Sequence, residues 1–391
     1  MQRTATVNDP TAARNHEPRK SARCQPRIVV AGQVPPPMGG QNVMIARILA
    51  QFAAAPEFAT EHLAFQFTPD FKTVRRGGFA KLFELGKVLA RLAALRLRGP
   101  IDLLLYPAGG PQTVPIVRDL LLLPWVLLAA HRVAVQFHAA GAADRFAAKR
   151  GGLCRMLAFL YRRCFAAIVM TEFNRRDPEF FGMRRIAVVP HRLPDEFDAA
   201  LAQPVSGRFL YLGHLCPDKG TPTLLRAFAQ IAAHHPHATL ELAGETLPPF
   251  SESALHQLIR ELGLESRVIL SGVLTGRAKL AAFGRAELFV FPSVAPYESF
   301  GLVLVEAMMW GLPIVATDWR GNRDVLGPDF AGLCYPPGPD PVAALSTALT
   351  AALGQPADRT KNRRLFLDRF HLETATDDYP ALARRWLRAD A

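Results

Sequence analysis

Short apolar runs alternate with longer stretches in which apolar residues recur every three or four positions. The run RIVVAG at residues 27–32 has the β-branched character of a buried strand. It ends at Gly32 and the turn PPPMGG (35–40), and QNVMIARILAQF (41–52) follows with helical periodicity. Strand, glycine-containing loop, helix is the opening unit of an α/β domain. HLAFQFT, IDLLLYPAG, RVAVQFHAAG, FAAIVMTE and RRIAVVPH read as further strands, several of them separated by helical stretches. The pattern predicts a mostly parallel sheet with helices around it. A polar break, DEFDAALAQPVSG (195–207), interrupts the alternation. It then restarts with RFLYLGHL, ATLELAGE, RVILSGVL, ELFVFPS and PIVATD as strands. The boundary between two such blocks falls near residue 205.

The chemistry collects in the turns. Glycine-containing or polar turns fall at predicted strand ends at 35–40, 138–141, 213–220, 244–245, 272–273 and 297–301. Open α/β sheets bind ligands beyond the carboxyl ends of their strands. Lys219-Gly220 stands before a helix whose first N–H groups lack partners, a combination suited to a phosphate or to an ordinary surface turn. The GxxxxGK[ST] and GxGxxG patterns are absent. In PYESFGLVLVEAMMWGLP (296–313), Glu298 precedes an apolar helix and Glu306 lies inside it. Glu306 stands five residues past Gly301, roughly 7.5 Å of helical rise. A carboxylate in such a helix needs a partner. Either a cation from the neighbouring domain or the paired hydroxyls of a ligand would serve. His138 follows a strand and is a candidate for hydrogen bonding or proton transfer, or a satisfied loop histidine; His191 and His214 occupy comparable positions.

Composition adds three constraints. At 391 residues and 50% apolar, the chain is long enough for two cores. Five cysteines without metal-ligand spacing fit a reducing compartment. The net charge of +12 is concentrated at 71–99, which carries eight Lys or Arg against one Glu over a largely helical pattern. That helix suits an anionic membrane surface, a solvated face or nucleic acid; no zinc-finger spacing or basic-aromatic repeat points to nucleic acid. Residues 1–26 read as a disordered basic tail without the apolar run of a secretory signal. The block LLLLPWVLLAA (120–130) is too short to span a bilayer and reads as a core helix, with a membrane-facing side as an option.

Taken together, these residues resemble the retaining glycosyltransferase family 4. The likeness rests on Glu298 to Glu306 as an E-x7-E motif, the trailing Gly311-Leu-Pro, Gly321 and Asp324, the run LYLGHLCPDKGTPTLLRAF, and AGLCYPPGPDPVAALSTAL. It covers nearly all of the second block and, through PPPMGG and QFHAAG, part of the first. The resemblance implies a GT-B fold, α/β, with two Rossmann-like doubly wound domains facing each other across a cleft. It implies an acceptor-side domain at 27–205, a nucleotide-sugar donor domain at 206–371, and a helical segment at 372–391 returning toward the first domain. It implies transfer, with retained configuration, of a sugar from a UDP- or GDP-linked donor to an acceptor hydroxyl, without metal or other cofactor. Catalytic roles fall to His138, Lys219 and Glu298. Donor contacts fall to Gly39, Gly40, His214, Lys219, Gly244, Val273, Glu298, Phe300, Gly301, Leu302 and Glu306, with Lys219 on the diphosphate and Glu306 on the ribose. His214 stands where many relatives carry Arg, and Arg320 or Arg323 is a candidate to compensate. The acceptor is expected to be a glycan or lipid-linked glycan in envelope, lipopolysaccharide or exopolysaccharide assembly. The expected location is cytoplasmic, with peripheral membrane contact through 71–99. A catalytically degenerate sugar or nucleotide binder and a same-fold phosphorylase are the alternatives.

Overall fold

The computed structural model describes residues 25–36, 39–65, 78–147, 151–354, 358–373 and 378–388, with the side chains of 78–82 excepted. The basic tail before residue 25 and the start of the basic stretch, 71–77, lie outside the described residues.

The first sheet is parallel, in the order β2-β1-β3-β4-β5-β6. Its elements run β1 (Arg27–Gly32), α1 (Gly40–Ala53), β2 (Ala59–Ala64), α2 (Gly78–Leu97), β3 (Ile101–Pro107) and α3 (Thr113–Ala129). They continue with β4 (Ala130–Gln136), α4 (Ala142–Ala147), α5 (Gly152–Tyr161), β5 (Ala166–Val169), α6 (Arg176–Phe180) and β6 (Ile186–Val188). Both faces of β1 and β3 are covered, so apart from Arg27 and Asp102 near their starts these strands are apolar instead of alternating. β2 starts and ends earlier than its apolar run suggests. Its register against β1, Arg27 opposite Ala59 through Gly32 opposite Ala64, sets the limits.

The second sheet is also parallel, in the order β12-β11-β10-β7-β8-β9. It is built from β7 (Arg208–Leu212), α7 (Thr221–His234), β8 (Thr239–Ala243), α8 (Glu252–Glu261), β9 (Val268–Gly272), α9 (Gly276–Arg285) and β10 (Leu288–Phe291). Then come α10 (Leu302–Met309), β11 (Ile314–Thr317), α11 (Asn322–Leu326), β12 (Gly332–Tyr335), α12 (Pro341–Leu353) and α13 (Arg359–Arg369). The last helix, α14 (Tyr379–Arg388), leaves this sheet and packs against α1. There Trp386 meets Phe165 edge to face and Arg384 pairs with Glu57.

Three apolar clusters hold the molecule. One lies between the first sheet and α2, α3 and α5, and another between the second sheet and α7, α8 and α12. The third runs from Ile28, Ile45 and Phe52 through Trp386 and Phe300 to Phe283 and Trp310, and so joins the two sheets' inner faces. Among the described residues, no helix is long and apolar enough to cross a membrane.

Candidate active site

Both sheets have a topological switch point, β1 beside β3 in the first and β7 beside β10 in the second. Loops leaving the carboxyl ends of such neighbours diverge and open a crevice. Lys219 comes from the loop after β7 and Glu298 from the loop after β10, so the second switch point carries both. Lys219 Nζ donates to Glu298 Oε2 at 2.7 Å, and Ser293 Oγ donates to the same oxygen at 2.7 Å. The Lys219 ammonium also lies 5.5 Å from the Tyr297 ring centre. Lys219 sits in a 3-10 turn, Pro217–Lys219, immediately before α7.

Glu306 is 6% exposed, in the middle of α10. Its hydrogen-bond partner is Lys279 of α9, whose Nζ donates to Oε1 at 2.7 Å. This cation belongs to the same domain, not to the neighbouring one. Arg47 of α1 supplies the neighbouring domain's share: its guanidinium interacts electrostatically with Glu306 and Glu196. Burial nevertheless leaves Arg47 with a lowered pKa. Both glutamates have one oxygen hydrogen-bonded and one without a hydrogen bond among the described residues.

The backbone around them is shaped for close approach. Gly301 caps α10 in the left-handed region, φ 62° and ψ 61°, so the chain turns sharply between Phe300 and Leu302 as the helix begins. Phe300 is buried, and its ring packs edge to face on His191 at 5.0 Å. Gly244, after β8, has φ 150°, and a Cβ there would lie 1.9 Å from the Gly213 carbonyl oxygen. Val273, past the end of β9, is 60% exposed on the rim.

The first domain contributes the opposite wall. His138 follows β4; its Nε2 is 2.8 Å from Gln136 Oε1, and its Nδ1 has no hydrogen-bond partner among the described residues. Its ring stacks on His191 at 5.8 Å. Burial pushes the His138 pKa down to about 4 and that of His191 well below the usual range, so both imidazoles are neutral at pH 7. The backbone links His138 to the other domain directly: Ser299 Oγ donates to the His138 carbonyl at 2.6 Å, and Ala140 N donates to Tyr297 O at 3.2 Å. Gly39 caps α1 in extended conformation, and Gly40 opens its first turn with nothing near its Cβ position. No hydrogen bond joins either glycine to Lys219 or Glu298 among the described residues. Below them, buried Asp119 fixes the loop after β3 by accepting from Gly109 N at 2.6 Å and from Tyr106 and Tyr161.

His214 follows β7 with its pKa lowered by burial first and by Lys219 second, so it adds no permanent charge. Neither proposed substitute for the missing arginine stands free: Arg320 pairs with Asp144 across the cleft at 2.7 Å, and Arg323 pairs with Asp318. The sequence pattern pointed to Lys219, Glu298, Glu306 and His138. It missed Lys279 and Arg47, which lie far from Glu306 in sequence, and Ser293, five residues before Glu298. A hollow lined by Arg162, Phe165, Arg184 and Arg185 lies at the amino ends of β5 and β6, away from these groups.

Two facing doubly wound sheets with this cleft define a GT-B architecture. Residues 195–364 match the family model described as Glycosyl transferases group 1, a span that contains Lys219, Lys279, Glu298 and Glu306. A curated relative, an uncharacterized glycosyltransferase of Methanocaldococcus jannaschii, is 33% identical over 135 residues. The match covers 34% of this chain and only 33% of that relative's length. Among solved structures, sucrose-phosphate synthase from Thermosynechococcus elongatus superposes with a TM-score of 0.72 at 20% identity, over 92% of this chain and 99% of that one. Anabaena HepE in complex with UDP-glucose superposes at 0.67, also at 20% identity and with the same 92% and 99% coverage. At this identity the two structures speak to the fold.

Proposed function

We propose that the chain is a retaining, family 4 type glycosyltransferase that moves a sugar from a UDP- or GDP-linked donor to an acceptor hydroxyl. One observation carries the reading: Lys219 and Glu298 meet at 2.7 Å on a switch point, beside the start of α10. In this reading the donor diphosphate takes Lys219 and the N–H groups of Phe300, Gly301 and Leu302. Glu298 then turns its other oxygen to hydroxyls of the transferred sugar. Glu306 accepts from the ribose diol, with Gly244 and Val273 toward the base and Gly39 and Gly40 as the far wall. Charge developing on the leaving phosphate is stabilised by Lys219 and by the helix start. That phosphate receives the acceptor proton as the acceptor oxygen attacks the same face. His138, neutral at pH 7, orients the reacting sugar by a hydrogen bond and is not the source of a positive charge.

The acceptor in this reading is a glycan or lipid-linked glycan of envelope, lipopolysaccharide or exopolysaccharide assembly. It is met on the inner membrane face, with peripheral contact through 71–99. HepE, solved with UDP-glucose, supports a uridine donor as the first to try. The test is release of UDP or GDP across a panel of nucleotide sugars, with anomeric configuration read by NMR on any product. Unchanged turnover in both Lys219→Ala and Glu306→Ala would defeat the assignment. The neutral His214 beside Lys219 favours a second reading, a non-catalytic sugar or nucleotide binder. That reading predicts donor binding without release from any member of the panel.

A further inference from the structure

Helix α3 presents a bare apolar stripe. Val114, Val117, Leu121, Trp125 and Leu128 are 53%, 42%, 47%, 54% and 78% exposed. Their spacing places them within about 80° of one helix side over roughly 21 Å. The other side, with Ile116, Leu122, Leu123 and Val126, is buried in the core. Burial of one side therefore does not explain the apolar character of the second. The neighbouring helices enlarge the patch. α3 packs between α2 and α5, which add exposed Phe83, Leu97, Met156 and Phe159. Of the thirteen large apolar residues exposed among the described residues, nine lie on these three helices.

The exposed charges on and beside these helices are mostly positive. α2 exposes Lys87, Arg91 and Arg96, α5 exposes Arg155, and Arg162 and Arg163 stand exposed just past the end of α5. The carboxylates of the three helices are Glu84, which is paired with Lys87, and Asp119, which is fully buried. Lys87 and Arg163 lie over the rings of Phe83 and Phe159, at 4.5 and 3.5 Å, so each cation stands beside an exposed apolar body. Pairing with a second copy through this face would set arginines against arginines, because a two-fold contact opposes a patch with itself. Apolar side chains ringed by cations, with a tryptophan among them, complement a bilayer with anionic headgroups.

We propose that the α2–α3–α5 face docks on an anionic phospholipid bilayer, with the α3 stripe inserted at the headgroup–acyl boundary and Trp125 within it. The proposal rests on the peripheral-membrane part of the reading above and extends it from the basic stretch to α3. It does not depend on sugar transfer, since binding is read without donor.

The test is sedimentation of the full chain with phosphatidylcholine vesicles, with and without phosphatidylglycerol, alongside tryptophan emission. Binding to the anionic vesicles with a blue shift is expected. Trp125→Phe should keep the binding and lose most of the shift. Leu121→Ser/Trp125→Ser/Leu128→Ser, at exposed positions and with an unchanged unfolding temperature, should lower partitioning by about a hundredfold. Lys87→Gln/Arg91→Gln should weaken binding mainly at low salt. Failure of the wild-type chain to bind anionic vesicles would overturn both this proposal and the contact through 71–99. If the triple variant binds like wild type while Lys87→Gln/Arg91→Gln does not, the basic stretch is the contact and the α3 proposal fails. A wild-type dimer in solution that the triple variant dissolves would also overturn it, in favour of a second copy of the chain.

Discussion

Glu306→Gln separates a ribose contact from a structural ion pair. The Lys279–Glu306 pair at 2.7 Å has a gross attraction of about 6 kcal/mol at an effective dielectric constant near 20. Most of that offsets desolvation. Removing one partner of a buried pair costs about 3–5 kcal/mol because the other charge is stranded. Lys279 is 24% exposed, which brings the expected loss for Lys279→Met to about 2–3 kcal/mol. Glu306→Gln keeps the shape and strands only the partly solvated ammonium, so its stability loss should be smaller, about 1–2 kcal/mol. Its effect on donor use should be larger. A carboxylate accepting from a diol makes charge-assisted bonds worth about 1.5–3 kcal/mol, or about 10- to 150-fold in kcat/KM. The decisive assay compares a nucleotide sugar with its 2'-deoxyribose analogue. Wild type should prefer the ribose donor by about tenfold or more. Glu306→Gln should use the two alike, at the poorer rate. Persistence of the full preference in Glu306→Gln, with the chain folded, would refute the ribose assignment and leave Glu306 as Lys279's partner alone.

Three further outcomes are expected. Lys219→Met should lower turnover by about a hundredfold or more, the usual cost of deleting a preorganised transition-state cation, with circular dichroism unchanged; single-turnover rates would check this. His138 has a folded pKa depressed to about 4 and His191 one depressed well below its usual range. Their neutral burial is therefore fully tolerated above the unfolded value near 6.5, and stability falls as pH drops from there toward 4. By pH 5 His138 alone should remove about 2 kcal/mol in urea titrations, and His138→Phe should flatten that slope. Gly244→Ala would place a Cβ 1.9 Å from the Gly213 carbonyl at φ 150°, so thermal unfolding should show a loss of about 2 kcal/mol or more.

The alternation of apolar runs with helical periodicity determined both sheets, because strands covered on two faces are almost continuously apolar. It also located the loops that matter, since Lys219, Glu298 and His138 stand where strands end and helix starts leave N–H groups open. A carboxylate inside an apolar helix marked Glu306 as partnered before any partner was known. Local pattern could not name that partner: Lys279 reaches Glu306 across 27 residues, and Ser293 reaches Glu298 through the fold of its loop. Arg47 faces Glu306 from a different domain. Such pairings depend on how helices stack, and no periodicity encodes that. The same holds for LLLLPWVLLAA. A helix apolar on every side reads as a core helix with a membrane-facing side as an option, and only packing between α2 and α5 decides which side meets the core and which stays bare.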